Sequence, residues 1–280
     1  MTPQRSFVEI IDTHLSSGKA QLPVFNALAI KIQNEIAKED PNVQLIEKLI
    51  MNEAAVTSEV LKISNSSFYK GLQQISTIRN AIVRLGVNEV SNIVALVTHK
   101  NQFRSKDPLL KSIMRNLWRH SVGCAMGSHW LANQIGMIGI KHESFFAGLL
   151  HDVGKLLILK VVGDLKKNNG TGSQITNALL NEAMDGLHEK YGASLMQHWN
   201  FPQRFCEVAQ SHHVEEFDSK DLLLVMVRLA DKACNKLGIG LSEPSSLALM
   251  ATSEAQALNL SEMDLANFEI FLEDTKVFHS

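Results

Sequence analysis

The chain has 280 residues, of which 45 % are hydrophobic and 20 % are charged, and this balance excludes a disordered polymer. Its formal net charge of −2 at pH 7 argues against a general attraction to nucleic acid or to anionic lipid. No apolar run reaches the roughly 18 residues of a membrane span, and the N-terminus lacks the pattern of a secretion signal.

Helical periodicity dominates the chain, and no segment shows a convincing strand alternation. Prolines after Asp40, Asp107 and Phe201 separate the apolar stripes. The predicted helices cover, in chain order, residues 24–37, 42–51, 54–63, 77–85, 88–103, 109–134, 142–162, 174–184, 187–199, 203–213 and 219–237. The polar, glycine-rich stretch 163–173 is predicted to be a loop. From residue 243 we expect two further helices, the second capped by Ser261 with Asp264 at the capping-box position.

The predicted fold class is therefore all-α, a multi-helix bundle. We expect an N-terminal helical part over 1–105, a helical core over 106–240 and a C-terminal helical tail over 241–280. The segment Asn65–Tyr69 is interpreted as a helix end at which Asn65 caps and the two aromatic residues pack.

His151 and Asp152 are adjacent in the apolar segment GLLHDVGK, residues 148–155. A buried imidazole beside a buried carboxylate costs free energy unless a partner compensates both, and a metal cation does so. On one continuous helix the two side chains would point about 100° apart, so the remaining ligands must come from other helices.

Further candidate ligands follow the helical pattern at His120, His188, His212, His213 and Asp231. Asp231 lies in the apolar run LLLVMVRLADKA, where an unpaired carboxylate is rare. Imidazole and carboxylate ligands together suit Fe, Mn, Zn or Mg, and the set suffices for one or two ions. Two ions about 3.5–4 Å apart clamp a phosphate and activate water, and Lys155, one turn after His151, could reach the same phosphate.

Each histidine taken singly is more often a hydrogen-bonded core or surface residue than a ligand. His212 and His213 also fit a helix C-terminus, where an imidazole interacts favourably with the helix dipole. Lys155 fits a solvated charge at a helix end equally well. The metal interpretation depends on whether these residues converge in space.

The chain resembles the HDOD domain, the bacterial signalling relative of the HD metal-dependent phosphohydrolases, from Leu22 to Ala233. The segments that carry the resemblance are LPVFNALAIKI, VLKISNSSFY, ISTIRNAIVRLG, LWRHS, FAGLLHDVGKL, HEKYGASLMQHWNFP, and the HH pair followed by RLADKA. Their combination in this order is specific, whereas each piece alone is not. The resemblance implies an all-helical fold, with an N-terminal part packed on an HD-like core, and a role in signal output.

The metal ligands of HD hydrolases match His120, His151, Asp152 and Asp231. The two-metal HD-GYP enzymes, which cleave cyclic di-GMP, add histidines matching His188, His212 and His213 and a lysine matching Lys155. Two departures argue against cyclic di-GMP hydrolysis. The residues after His188 read EKYGASL without a GYP tripeptide, and position 116 is Asn where some HD-GYP enzymes have glutamate.

The resemblance favours a cytoplasmic signal-transduction protein that binds a protein partner or a small phosphorylated ligand, and not membrane or nucleic acid. The alternative is a metal-dependent phosphohydrolase, in which Asp152 or a histidine would transfer protons and Lys155 would neutralise developing charge. A hydrolase needs an open pocket, whereas a regulator could have the pocket filled, for example by Met126 or Trp130. The widely spaced Cys124, Cys206 and Cys234 are interpreted as reduced thiols, not as a disulfide framework or a CxxC metal knuckle.

Overall fold

The computed structural model describes residues 6–18, 20, 22–69, 71, 73–169 and 175–275, and within these ranges every regular element is a helix. This confirms the all-α fold class. The α-helices are α1 Phe7–Ser16, α2 Ala27–Ile36, α3 Val43–Met51, α4 Ala54–Ser64, α5 Ile78–Leu85, α6 Val87–Lys100, α7 Pro108–Gln134, α8 Lys141–Leu150, α9 Val153–Asn169, α10 Asn177–His198, α11 Gln203–Ser211, α12 Leu222–Lys236, α13 Ser253–Ala257 and α14 Glu262–Asp274. Two short 3₁₀ turns lie at Ile138–Ile140 and Leu249–Ala251. No helix of the described residues is both long and apolar enough to cross a bilayer.

The prediction of one helix over 142–162 is wrong, because α8 ends at Leu150 and α9 begins at Val153. His151 and Asp152 form the turn between them. The His151 ring Nδ1 lies 2.8 Å from the carbonyl oxygen of Gly148, which would accept the Asp152 amide in a continuous helix. The His151 ring therefore hydrogen-bonds to a carbonyl at the end of α8, where the helical pattern is interrupted.

Two other predicted boundaries are also wrong. Helix α9 continues through most of the predicted loop 163–173 to Asn169, since Leu165 still packs against the core, and residues 170–174 lie outside the described chain. The helices predicted over 174–184 and 187–199 form the single helix α10. The apolar face of α10 continues past the exposed Gly186 without a break. A glycine at such a position costs the helix only about 1 kcal/mol relative to alanine.

Helix α7 is the centre of the molecule. Almost all its residues from Leu117 to Ser128 are buried, and α8, α9 and α12 pack around it. Helices α2 to α6 bury their own apolar cluster and also contribute to the large core around α7. The C-terminal helices pack on α7 and α12 through a further cluster, and the predicted capping box of Ser261 and Asp264 forms at the start of α14. The division of the chain near residue 105 stays a prediction.

Two glycines let neighbouring helices approach closely at the HD segment. A Cβ atom at Gly148 would lie 2.4 Å from the carbonyl oxygen of Cys124 on α7. A Cβ atom at Gly154 would lie 2.0 Å from the carbonyl oxygen of His188 on α10. Since real Cβ atoms do not approach that closely, only glycine permits the backbone contacts that bring α8 to α7 and α9 to α10.

The segment Asn65–Tyr69 follows the end of α4. The Asn65 amide accepts from the backbone nitrogen of Ile75 and donates to its carbonyl oxygen, both at 2.8 Å. The Tyr69 hydroxyl donates to Glu89 on α6, and the Phe68 ring packs against Phe271 of α14. The asparagine therefore ties the two ends of the loop together, while its aromatic residues pack as expected.

Candidate metal centre

All seven predicted ligands come together beside the middle of α7. His120 lies in the middle of α7, His151 and Asp152 in the α8–α9 turn, and His188 in the middle of α10. The remaining three are His212 and His213, directly after α11, and Asp231 on α12. Six of the seven are buried, whereas the His213 side chain is 41 % exposed.

Four of the histidines are oriented by backbone carbonyls. Nδ1 of His120 lies 3.1 Å from the carbonyl oxygen of Ile239, and Nδ1 of His151 lies 2.8 Å from that of Gly148. Nδ1 of His188 lies 2.7 Å from the carbonyl oxygen of Met184, and Nδ1 of His212 lies 3.0 Å from that of Ala209. Because a carbonyl only accepts, each ring donates from Nδ1, and the Nε2 of the neutral ring carries a free lone pair. This is the arrangement in which a ligating histidine is held for a metal.

The carboxylate of Asp152 lies between these rings. Its Oδ2 is 3.6 Å from Nε2 of both His120 and His151. Its Oδ1 is 3.5 Å from Nε2 of His188 and 3.4 Å from Nε2 of His212. One carboxylate thus presents one oxygen to each of two histidine pairs.

The side chains divide into two sets whose donor atoms all lie within 4.8 Å of one another. We call these sets the first and the second donor group. The first donor group is His120, Cys124, His151 and Asp231, and the second is Asp152, His188, His212 and His213. In the first, Asp231 Oδ1 lies 3.1 Å from His120 Nε2.

Two atoms of the site lack a hydrogen-bond partner of their own within the part of the chain that the structure describes. His151 Nε2 and Asp152 Oδ1 are buried without a hydrogen-bond partner among the described residues. The Nε2 atoms of His188 and His212 face each other at 3.3 Å. Two ligands about 2.0–2.1 Å from one ion have a similar separation, so the residues fit a divalent metal.

The shifted pKa values keep most of these side chains in the protonation state that binds a metal. Burial lowers the pKa of His151 to about 3 and that of His188 to about 4, so both rings are neutral at pH 7. Burial alone would raise the pKa of Asp152, but the Lys155 ammonium and the surrounding histidines outweigh it and hold it well below its ordinary value. Burial would likewise lower the pKa of His120, yet Asp231 and Asp152 raise it to about 9.

A cavity of about 320 Å³ adjoins the two donor groups. It is lined by eight polar residues and two apolar ones: His120, Asp152, Lys155, Asn181, Asp185, His213, Asn235 and Ser242, with Met184 and Leu241. Met126 is buried in the main core, and Trp130 stacks on Phe268 with ring centroids 5.2 Å apart. The side chains that we considered as pocket fillers therefore lie elsewhere.

A model of the HDOD domain matches residues 22–215, which is more than half of the chain. The chain belongs to the HDOD family. A solved HDOD domain protein of unknown function from Geobacter sulfurreducens superposes with a TM-score of 0.74 at 23 % identity, over 96 % of this chain and 95 % of that one. A protein of Shewanella amazonensis, described as a candidate metal-dependent phosphohydrolase, has a TM-score of 0.74 at 19 % identity, over 98 % of both chains. At these identities the likeness concerns the fold.

Two curated relatives are uncharacterized proteins longer than this HDOD chain. One, from Treponema pallidum, is 24 % identical over 226 residues, which are 76 % of this chain and 42 % of the relative. The other, YuxH of Bacillus subtilis, is 31 % identical over 85 residues, which are 29 % of this chain and 21 % of the relative. The HDOD chain thus spans less than half the length of the curated relatives it matches.

Sequence reasoning missed Arg228, which holds one part of the site in place. Its guanidinium donates to the carbonyl oxygens of His212 and Val214, both at 2.7 Å, and to Glu254 on α13 at 2.8 Å. Arg228 therefore fixes the turn that carries His212 and His213. An arginine inside the apolar run of α12 was the available signal, since buried charges require partners.

Cys124 was also missed as a neighbour of the donors. It lies one helical turn after His120 on α7, and its Sγ is 3.5 Å from His120 Nε2. The four-residue spacing was visible in the sequence, but a cysteine in an apolar helix is most often a core residue.

Proposed function

We propose that this HDOD protein is a signal-transduction protein whose pocket binds two divalent metal ions and, beside them, the phosphate of a small ligand. One observation carries the proposal: Asp152 directs one oxygen toward His120 and His151 and the other toward His188 and His212. Such a carboxylate is suited to bridge two ions. The buried, partnerless atoms of His151 and Asp152 support the same conclusion, because a buried polar atom without a partner is costly.

The first ion would be held by His120, His151, Asp231 and Asp152, and the second by Asp152, His188, His212 and His213. Nitrogen and carboxylate ligands suit Fe, Mn or Zn better than Mg. When bound, such ions supply a Lewis acid and a nucleophile derived from water. The polar cavity of about 320 Å³ next to them has room for a small phosphorylated molecule.

A second candidate function is hydrolysis of that phosphoester. It is favoured by the open cavity, which the side chains of Met126 and Trp130 leave free. Lys155 reaches Asp152 from the cavity wall and could turn its ammonium to a phosphate oxygen, which would neutralise charge developing there.

The decisive experiment is the metal content of the purified chain, measured by elemental mass spectrometry after reconstitution with Fe, Mn or Zn. Wild-type protein should hold about two ions per chain, and Asp152→Asn should lose most of both because the bridging charge is gone. Asp185→Asn is the matched control, since Asp185 lines the same cavity but belongs to neither donor group. Full metal content in Asp152→Asn would contradict the proposal.

The two functions are then separated by incubating the loaded protein with nucleoside monophosphates, cyclic dinucleotides and a generic phosphomonoester. Binding without release of product supports the signalling function. Turnover that is lost in Lys155→Met, while metal content is kept, supports the hydrolase. Each assay also requires unchanged circular dichroism in the variant, so that loss of fold is not mistaken for loss of function.

A further inference from the structure

We propose that Cys124 is a thiolate ligand of the first ion, so that the first donor group prefers Zn²⁺ or Fe²⁺ to Mn²⁺ or Mg²⁺. This inference rests on the proposed metal function of the pocket and names the ion that it selects. Coordination would replace the thiol proton by the metal, with the proton released to solvent.

The distances around Cys124 are those of ligands that share one ion. Its Sγ lies 3.5 Å from His120 Nε2. Sulfur about 2.3 Å and nitrogen about 2.0–2.1 Å from a tetrahedral zinc ion are about 3.6 Å apart. Sγ also lies within 4.8 Å of the donor atoms of His151 and Asp231, so the thiol belongs to the same convergent group.

The backbone at Cys124 is fixed by the fold. Gly148 of α8 packs directly on the Cys124 carbonyl, which places the thiol on the side of α7 that His120 shares. Of the other two thiols, Cys206 lies 3.8 Å from the carbonyl oxygen of Pro202 at the start of α11, whereas Cys234 forms a hydrogen bond with the Cys124 thiol without belonging to either donor group.

A sulfur ligand makes the two donor groups chemically unequal. The first contains sulfur, two nitrogens and a carboxylate, whereas the second contains three imidazoles and a carboxylate. Thiolates favour zinc and iron, while Mg²⁺ and Mn²⁺ prefer oxygen ligands. The first ion is therefore expected to resist exchange by Mn²⁺ or Mg²⁺, and the second to exchange more readily with Mn²⁺.

The test uses Co²⁺ as a spectroscopic probe on the metal-depleted full chain. A thiolate bound to Co²⁺ gives a charge-transfer absorption band in the near ultraviolet that nitrogen and oxygen ligands do not give. Wild type should show this band, and Cys124→Ser should lose it while still binding Co²⁺ at the second donor group. Bound cobalt is counted independently by elemental mass spectrometry.

The matched control is the double variant Cys206→Ser, Cys234→Ser, which leaves Cys124 as the sole thiol of a chain with three cysteines. This variant should keep the band, and it decides the question even if Cys124→Ser fails to fold. Stoichiometric cobalt without the band in wild type and in the double variant would overturn the role of Cys124 but leave the metal site. Absence of bound cobalt would overturn both.

A competition experiment tests the selectivity. Protein loaded with Zn²⁺ is dialysed against excess Mn²⁺, and the zinc retained is measured. Wild type should keep one zinc ion per chain. In Cys124→Ser the preference of the first donor group for Zn²⁺ over Mn²⁺ should fall by more than about tenfold, the lower end of the effect of disturbing the surroundings of a bound metal. Equal retention of zinc in both proteins would contradict the proposed selectivity.

Discussion

The ammonium of Lys155 lies 2.8 Å from Oδ2 of Asp152, and the two side chains are only 13 % and 1 % exposed. Burial would lower the pKa of Lys155, but the Asp152 carboxylate raises it above its ordinary value, so the lysine is charged at pH 7. In the metal-free protein this cation compensates the buried carboxylate. Lys155 and the proposed metal ions therefore compensate the charge of the same carboxylate.

Replacement of Lys155 by Met should lower the free energy of unfolding of the metal-free protein by about 3 kcal/mol, because it leaves a buried carboxylate without its partner. The deficit should shrink when metal is bound, since the ions then compensate Asp152. Urea unfolding with and without Zn²⁺ measures both values. Lys160→Met, on the same helix but outside the cavity, is the control. An equal deficit in both states would show that Lys155 does not substitute for the metal.

Arg228→Met should weaken metal binding at the second donor group by about 10–100-fold, because the turn carrying His212 and His213 loses its support. The first donor group should bind as before. Isothermal titration of the metal-depleted variant separates the two binding steps. The control is Lys232→Met, which removes another cation paired with Glu254: Nζ of Lys232 lies 2.6 Å from Oε2 of Glu254. This variant should leave both metal-binding steps unchanged. Equal weakening in the two variants would attribute the effect to Glu254 instead of to the turn.

Glu254 should make stability depend on acid pH. Burial alone would raise its pKa, but hydrogen bonds from Lys232 and Arg228 outweigh burial and hold the pKa below the ordinary value of 4.5. The unfolded chain therefore binds a proton more readily than the folded one, and the stabilisation is complete above pH 4.5 and lost as the pH falls through the folded pKa. Glu254→Gln should be less stable than wild type at pH 7, and the difference should narrow below about pH 4.5. A constant difference across that range, measured by urea unfolding, would contradict this assignment.

Asn65→Ala should destabilise the protein by about 2–3 kcal/mol, because the backbone nitrogen and oxygen of the buried Ile75 lose their partner. Thermal and urea unfolding report the loss. Asn80→Ala, at an exposed position on α5, is a suitable control and should change stability by less than about 0.5 kcal/mol. A comparably small effect at Asn65 would mean that water replaces its hydrogen bonds.

The fold class and the identity of the candidate ligands could be predicted because their signals are local. Helical periodicity is visible in a single segment. An acidic residue in an apolar run, such as Asp231, indicates a buried charge that has a partner. The break between α8 and α9 could not be predicted in this way. At the break the His151 ring hydrogen-bonds to the Gly148 carbonyl, a contact that periodicity does not encode.

The same limit explains the residues that were missed. Arg228 and Cys124 owe their importance to the positions of residues far away in the sequence, namely the turn after α11 for Arg228 and the α8–α9 turn for Cys124. The predicted loop over 163–173 was wrong for a related reason. Its composition favours a loop, but the packing of Leu165 on the core maintains the helix.

Gly154 has no functional group, yet it determines how near α9 lies to α10. The main chains of Gly154 and His188 touch, so the two elements that carry Asp152 and His188 cannot move closer together. The distance between Asp152 and His188, which both belong to the second donor group, consequently has a lower limit set by backbone atoms. Ions of smaller ionic radius must then be accommodated by small rotations of the side chains, because the two elements cannot approach further.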